Sequence, residues 1–249
     1  MAVNVTLVAE TNIAPETLAL HAARTCYEPE IPKLDDGKKI DVEKRLFKPG
    51  HHTTIQHGSF TFAIEGISVS SVCFGLHLAS PYYNSDQRSG RFSKMYDNPD
   101  MASIREHLLR YFAVANIDAV LDFIKNGLRI YAENIERVTE IAKLKIKQER
   151  PNASEKYIST NAPKFAQEQL RMFISMVAPT ALDYTINLST LSALYRTAWN
   201  PEMREVVSQM VEIVTEKYPE ISYMFADDIK ANENDDWSPS IHPYLLIVL

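Results

Sequence analysis

The sequence predicts a mixed α/β (α+β) fold, because two kinds of hydrophobic periodicity occur along one chain. Residues 2 to 9 alternate apolar and polar side chains, which is typical of a half-buried strand. From Ile117 to Ala142 apolar residues recur every three or four positions, which predicts a long amphipathic helix. With 249 residues, 45% of them hydrophobic, the chain is long enough to bury a sizeable core.

The remaining elements follow from composition and from helix signals. Small and apolar residues at helical spacing predict a helix over Pro15 to Cys26, followed by a long surface loop with a short helix inside it. Aromatic and β-branched residues predict a strand from Ser59 to about Gly66, and a small-residue helix runs from Ser68 towards His77. Later helices are predicted over about 163 to 173, 188 to 198 and 201 to 217, with an extended piece over about 180 to 186.

We expect a single domain over residues 1–249, with a variable helical middle at about 97–160 and a C-terminal tail at about 231–249. The tail ends in five apolar residues, Leu245–Leu249. An apolar end of this kind predicts burial against a neighbouring subunit.

Charge and cysteine content exclude several classes of function. A net charge of -6 and a pI near 5.7 argue against long nucleic acid as a partner, but they allow a single nucleotide bound by a few arginines. Cys26 and Cys73 are too far apart for a zinc knuckle or a disulfide framework, so we expect reduced thiols and a cytoplasmic protein. No stretch approaches the ~20 apolar residues that span a bilayer, so no membrane is expected.

A polar run from Tyr82 to Lys94 is the first candidate site. Guanidinium groups pair with phosphate through two parallel hydrogen bonds, serine and glutamine can read a pyrimidine edge, and glycine allows close backbone approach. The run therefore indicates a nucleotide loop or, as is more common for such composition, a solvated connector. The dinucleotide, P-loop and nucleophile-elbow motifs are missing from the sequence.

Two further groups of residues carry chemistry. His51, His52 and His57 lie close together, but no carboxylate or cysteine completes a metal spacing, so we expect no metal. The alternative roles of these three histidines are polar capping and packing, or contacts to a cofactor. Glu168 and Arg171 lie three positions apart on a predicted helix and can form an ion pair on its surface.

Together these segments resemble the flavin-dependent thymidylate synthases, the ThyX family. The resemblance rests on a series of short matches in the family's order: His51, Thr53, Gln56-His57, Ser59-Phe60-Thr61-Phe62, His77-Leu78-Ala79-Ser80, Ser89-Gly90-Arg91-Phe92-Ser93, Glu168, Arg171, Thr185 and Asn187. It covers about 45 to 95 and 163 to 212.

The resemblance implies a small antiparallel sheet flanked by long helices, in a homotetramer whose active sites combine several subunits. The implied reaction converts dUMP to dTMP, with the carbon from methylenetetrahydrofolate and with NADPH reducing FAD. The positions implied to hold the nucleotide are Gln87, Arg88, Ser89, Gly90 and Arg91, with Arg171 from another subunit. The implied catalytic contacts are those of Arg171, Ser89 and Arg91. The positions implied to face the flavin are His51, Thr53, Gln56, His77 and Asn187.

Four positions depart from the family pattern. Leu76 and Leu78 replace arginines on either side of His77, Gln56 replaces a glutamate, and Ser189 replaces another arginine. Losing charge-assisted hydrogen bonds worth roughly 1.5 to 3 kcal/mol each would weaken FAD binding. Two alternatives therefore stay open: a diverged relative that makes a 5-hydroxymethyl pyrimidine deoxynucleotide from dUMP or dCMP without the reduction, and a catalytically silent nucleotide-binding oligomer.

Overall fold

The chain divides into two compact units. Among the described residues, the sheet unit lies within 2–87 and 180–226, and the helical unit lies within 88–179. The computed structural model describes residues 2–34, 37–78, 83–89, 100–112, 114–198 and 200–226. The predicted tail at about 231–249 lies outside these residues, and the single domain over 1–249 stays a prediction.

A four-stranded sheet forms the centre of the sheet unit. Its strands are β1 (Asn4–Glu10), β2 (Ser59–Ser68), β3 (Tyr83–Gln87) and β4 (Pro179–Asn187), in the spatial order β1-β2-β4-β3. β1 pairs antiparallel with β2, placing Val5 opposite Ile64, and β3 pairs antiparallel with β4, placing Ser85 opposite Tyr184. The predicted mixed fold with a small antiparallel sheet is confirmed.

The described residues also contain seven α-helices and several shorter turns. The helices are α1 (Pro15–Tyr27), α2 (Val69–Ser71), α3 (Met101–Tyr111), α4 (Ile117–Glu149), α5 (Glu155–Leu170), α6 (Leu188–Thr197) and α7 (Pro201–Lys217). The π-helical turns are Glu43–Phe47 and Val72–Leu76, and the 3-10 turns are His52–Gln56, Arg171–Phe173 and Pro219–Phe225. None of these helices is long and apolar enough to cross a membrane.

The core of the sheet unit lies on one face of its sheet. Phe60, Phe62 and Ile64 are buried because alternate residues of a strand point to the same face. α7 packs on β1 and β2, and α6 packs on α7. The half-buried Thr61 and Ala63 lie on the opposite face of β2.

The helical unit is built on the predicted long helix. α4 packs along α5 and against α3, and Leu108, Leu121 and Ile124 form a buried cluster with neighbouring apolar side chains. The side-chain oxygen of Asn116 accepts a hydrogen bond from Ala119 N and caps α4 at its predicted start.

Two boundaries differ from the predictions. α5 begins at Glu155 and not near Pro163, because Ser154 caps it by accepting a hydrogen bond from Tyr157 N at 3.2 Å. Pro163 therefore lies inside the helix and not in its first turn. β2 continues two residues beyond Gly66, which takes a positive φ of 78° within the strand.

β3 and α3 were not individually predicted. β3 lies in the polar run from Tyr82 to Lys94 and is the last strand of the sheet, so its polar composition hid its alternation. α3 begins after Asp100, whose carboxylate accepts hydrogen bonds from Ala102 N and Ser103 N. It lies in the region expected only to be helical overall.

Candidate functional site

His77 occupies the most strongly constrained of the predicted site positions. It follows the π-helical turn Val72–Leu76, and its ring is stacked on Tyr83 with centroids 4.7 Å apart and planes 4° apart. Its Nε2 lies 2.9 Å from the Ser85 hydroxyl oxygen. Tyr83 and Ser85 are alternate residues of β3 and therefore reach the same side of the sheet.

Burial lowers the pKa of His77 below its ordinary value, because an imidazolium loses hydration in this environment. The ring is therefore held neutral near neutral pH. A neutral imidazole has one donor and one acceptor nitrogen, and Nε2 is engaged with Ser85. Nδ1 is the ring nitrogen that Ser85 leaves for a ligand.

The leucine before His77 belongs to the core. Leu76 is 0% exposed, and its carbonyl oxygen accepts a hydrogen bond from the Tyr184 hydroxyl at 2.9 Å. Tyr184 also packs against Tyr83 at 5.6 Å, so one chain of contacts fixes both the backbone and the ring of the histidine. Position 76 is the first of the two positions at which the resemblance implies an arginine, and it is buried and apolar. Leu78, at the second position, is only half-buried.

A buried carboxylate fixes the start of the segment that carries His77. Glu202 is 0% exposed, and it accepts hydrogen bonds of 2.6 Å from Ser68 N, Ser68 Oγ and Ser71 Oγ. Glu202 lies in the first turn of α7, so it ties α7 to the beginning of α2. Sequence reasoning missed this residue, because an acidic residue in a first helical turn is ordinarily exposed.

The predicted histidine segment lies on and beside a 3-10 turn. Thr53 and Gln56 are exposed there, and His51 is half-buried with its Nδ1 3.5 Å from the Tyr27 hydroxyl. His52 instead bonds the Phe47 carbonyl oxygen at 3.1 Å, which is a packing role. Throughout the described residues, no group of three histidine, cysteine or acidic side chains could hold a metal ion.

Asn187 joins β4 to the following helix. Its Oδ1 accepts a hydrogen bond from Thr190 N at 2.9 Å and caps α6, which leaves Nδ2 as the group that can donate to a ligand. Two residues earlier, the Thr185 hydroxyl lies 2.9 Å from that of Thr61 on β2. This pair belongs to the sheet face opposite the core.

The predicted nucleotide run is only partly described. Gln87 ends β3, and its Nε2 donates to Thr180 Oγ1 at 3.4 Å. Arg88 is exposed and Ser89 is half-buried, and both belong to the helical unit. The predicted Gly90 and Arg91 lie outside the described residues.

Arg171 begins the 3-10 turn that follows α5. Its side chain is 64% exposed, and its Nη2 lies 2.9 Å from Glu168 Oε1, which confirms the predicted ion pair. A guanidinium has five N–H donors, so a single carboxylate oxygen leaves donors for an anionic ligand. The structure thus presents Arg171 on the surface of its unit.

Sequence reasoning also missed Tyr83 and Ser85, which hold His77. Both lie in the run from Tyr82 to Lys94, in which the charged residues were the more obvious candidates for binding a nucleotide. Their spacing of two was the available signal, since it places both on one face of a strand.

Comparison with known proteins places this geometry in context. The family model for thymidylate synthase complementing proteins matches residues 6–220. A flavin-dependent thymidylate synthase from Clostridium tetani (strain Massachusetts / E88) is 28% identical over 219 residues, which cover 83% of this chain and 80% of that protein.

Two solved structures share the fold. Thymidylate synthase X from Helicobacter pylori, crystallised with FAD and dUMP, aligns with a TM-score of 0.54 and 16% identity over 92% of this chain and 99% of that one. The UMP/dUMP methylase PolB from Streptomyces cacaoi, bound with 5-Br dUMP, aligns with a TM-score of 0.58 and 17% identity over 90% and 94%.

Proposed function

The chain belongs to the family of thymidylate synthase complementing proteins, and from this premise we propose that it is a flavin-dependent thymidylate synthase. The proposed reaction is the reductive methylation of dUMP to dTMP, with methylenetetrahydrofolate as carbon donor and NADPH as the source of reducing equivalents. The observation that carries the proposal is the extent of the family match. It runs through both the His51 to Ser89 segment and the Arg171 to Asn187 segment.

The nucleotide half of the proposed site uses guanidinium groups. Methylation of the pyrimidine develops negative charge on the ring, and donors fixed towards its carbonyl oxygens stabilise that charge. We assign the binding of dUMP to the run Gln87, Arg88, Ser89, Gly90 and Arg91, with Arg171 from another copy of the chain. Ser89, Arg91 and Arg171 are the proposed catalytic contacts. The exposed guanidinium of Arg171 supports its part in this assignment.

The flavin half of the proposed site uses neutral groups. His51, Thr53, Gln56, His77 and Asn187 offer imidazole, hydroxyl and amide groups, which fit the ring and hydroxyl groups of FAD. When bound, FAD would supply the hydride that completes the methyl group. His77 would present a neutral imidazole, because Ser85 and Tyr83 fix its ring and burial lowers its pKa.

The diphosphate of FAD would have to be bound without the family's arginine pair. Leu76 is buried in the core and Leu78 is apolar, so neither can pair with a phosphate. This observation favours a second candidate function, in which the one-carbon unit is transferred without the final reduction. The product would then be a 5-hydroxymethyl pyrimidine deoxynucleotide made from dUMP or dCMP.

The test begins with the purified protein. A flavin absorption spectrum, or its appearance after incubation with FAD, is expected of the synthase. The protein is then incubated with dUMP or dCMP and methylenetetrahydrofolate, with and without NADPH. The product is identified from its mass by mass spectrometry. A methyl product that requires NADPH supports the thymidylate synthase. A hydroxymethyl product formed without NADPH supports the second candidate function instead. Binding of dUMP with no product supports a catalytically silent nucleotide-binding oligomer.

We also propose that the protein works in the cytoplasm as a homotetramer. The helical unit exposes large apolar side chains, including Phe123 at 73%, Leu144 at 69% and Met172 at 78%. Exposed apolar surface of this kind is typical of contacts between proteins. Light scattering after gel filtration is expected to give the mass of four chains, and a monomer would remove the shared active site from the proposal.

A further inference from the structure

Gly127 lies inside α4, where glycine is a poor helix former. The structure provides a reason for it. A Cβ built at position 127 would lie 2.2 Å from the carbonyl oxygen of Phe173 and 3.4 Å from its carbonyl carbon. Carbon–oxygen contacts in proteins lie at about 3.3 Å or more, so any side chain at 127 would displace this backbone by about 1 Å.

The displaced backbone is the turn that carries Arg171. The turn Arg171–Phe173 follows α5 directly, and Ile174 N closes it by donating to Arg171 O at 2.9 Å. On the side of α5, Leu170 is buried and holds the entry to the turn. On the other side, the Phe173 carbonyl lies against Gly127. The turn is therefore fixed by α5 at one end and by α4 at the other.

Two of the large side chains beside this contact are exposed. A cleft of about 160 Å³ lies next to the contact, and Phe123, Ile130 and Met172 are among its lining residues. Met172 is 78% exposed and Phe123 is 73% exposed, so neither clamps the turn from outside. The backbone contact at Gly127 is thus a major determinant of where the turn lies.

We propose that Gly127 is a positioning residue for nucleotide binding, because its missing side chain sets the place of the Arg171 guanidinium. This inference rests on the proposed role of Arg171 in binding dUMP. Because a misplacement of about 1 Å can cost a factor of about 100, a methyl group at 127 is expected to weaken dUMP binding by at least about tenfold, although it touches no ligand.

The test is a double-mutant cycle with dUMP affinity as the readout. Isothermal titration calorimetry is carried out on the purified protein, on Gly127→Ala, on Arg171→Ala and on the double variant. We expect Gly127→Ala to lose at least about tenfold alone and less than about twofold in the Arg171→Ala background. Gln148→Ala, at an exposed position of α4 away from this cleft, is the matched control and should retain the affinity of the parent protein.

Each other outcome has a definite meaning. Unchanged affinity in folded Gly127→Ala overturns the inference, and so does an equal loss in both backgrounds, since that would be a general structural effect. No effect of Arg171→Ala itself would instead remove the proposed nucleotide site. If Gly127→Ala does not fold, Phe173→Gly keeps the carbonyl that contacts position 127 but frees the backbone dihedral angles of the turn. The same Arg171-dependent loss is then expected, and its absence overturns the inference.

Discussion

The two halves of the proposed site are supported in different ways. In the sheet unit, His77 is held by a stacked ring, a hydrogen bond and a buried core beneath it. In the helical unit, Arg171 is mostly exposed, and its side chain has one surface ion pair, with Glu168. The histidine is thus placed by side-chain contacts, and the arginine chiefly by the backbone of its turn.

Changes that lower stability and changes that lower binding should therefore fall in different units of the protein. Removing a buried polar partner leaves donors without acceptors inside the sheet unit, so stability should fall. Removing an exposed guanidinium changes little in the fold, so binding alone should fall. Four variants test this division between stability and binding.

Glu202→Ala should have the largest effect and should act on stability. It leaves Ser68 N and the hydroxyl groups of Ser68 and Ser71 without their buried acceptor. We expect a loss on the order of 4 kcal/mol in the free energy of unfolding, measured by urea denaturation followed by circular dichroism. Glu212→Ala, at an exposed position of the same helix, should stay within about 0.5 kcal/mol. Similar losses of unfolding free energy in the two variants would contradict the stabilising role of the buried Glu202 carboxylate.

Arg171→Ala should act on binding and leave the fold intact. We expect dUMP affinity to fall about 100-fold, which corresponds to about 2.7 kcal/mol, with a change in unfolding free energy below about 0.5 kcal/mol. Calorimetry measures the first quantity and urea denaturation the second. Arg129→Ala removes an arginine of comparable exposure, 58%, that is ion-paired with Glu133. If both arginine variants bind dUMP equally well, Arg171 has no specific role in dUMP binding.

His77 should make stability depend on pH in a known direction. Burial lowers its pKa in the folded state, so the unfolded chain binds more protons once the pH falls below about 6.5. The free energy of unfolding should therefore decrease as the pH falls from 7.5 to about 5.5, and His77→Gln should lose part of this decrease. Urea midpoints at the two pH values measure it, with the exposed His57→Gln as control. Equal decreases in the protein and in His77→Gln would be the contrary result.

Glu168→Gln should have the smallest effect. Its ion pair with Arg171 is partly exposed, and exposed pairs contribute about 0.2 to 1 kcal/mol. Because the backbone turn and not this pair places the guanidinium, dUMP affinity is expected to change less than about threefold. Glu133→Gln alters a comparable surface pair and serves as the control. A tenfold loss of affinity confined to Glu168→Gln would show that the ion pair holds Arg171.

The sequence predicts the elements whose periodicity or caps are strong. α4 and α7 begin where Ile117 and Pro201 were expected, since Asn116 and Asn200 cap them. β3 is different, because an edge strand rich in polar residues shows no hydrophobic alternation. α5 began earlier than predicted because its cap was Ser154, and the proline signal inside it was misleading.

The sequence predicts candidate site residues, but it does not predict most of the contacts that hold them. Arg171 and Glu168 are neighbours in sequence, so their pairing could be predicted. Glu202 meets Ser68 across 134 positions, and Gly127 meets Phe173 across 46, so neither contact has a local signal. Such pairs depend on the packing of whole elements.

The buried position of Leu76 has a consequence for the engineering of this protein. An arginine introduced there by one substitution would place a charge where the present side chain is 0% exposed, and the chain would lose stability before it gained a ligand contact. Attempts to strengthen flavin affinity should start at Leu78, which retains a path to solvent.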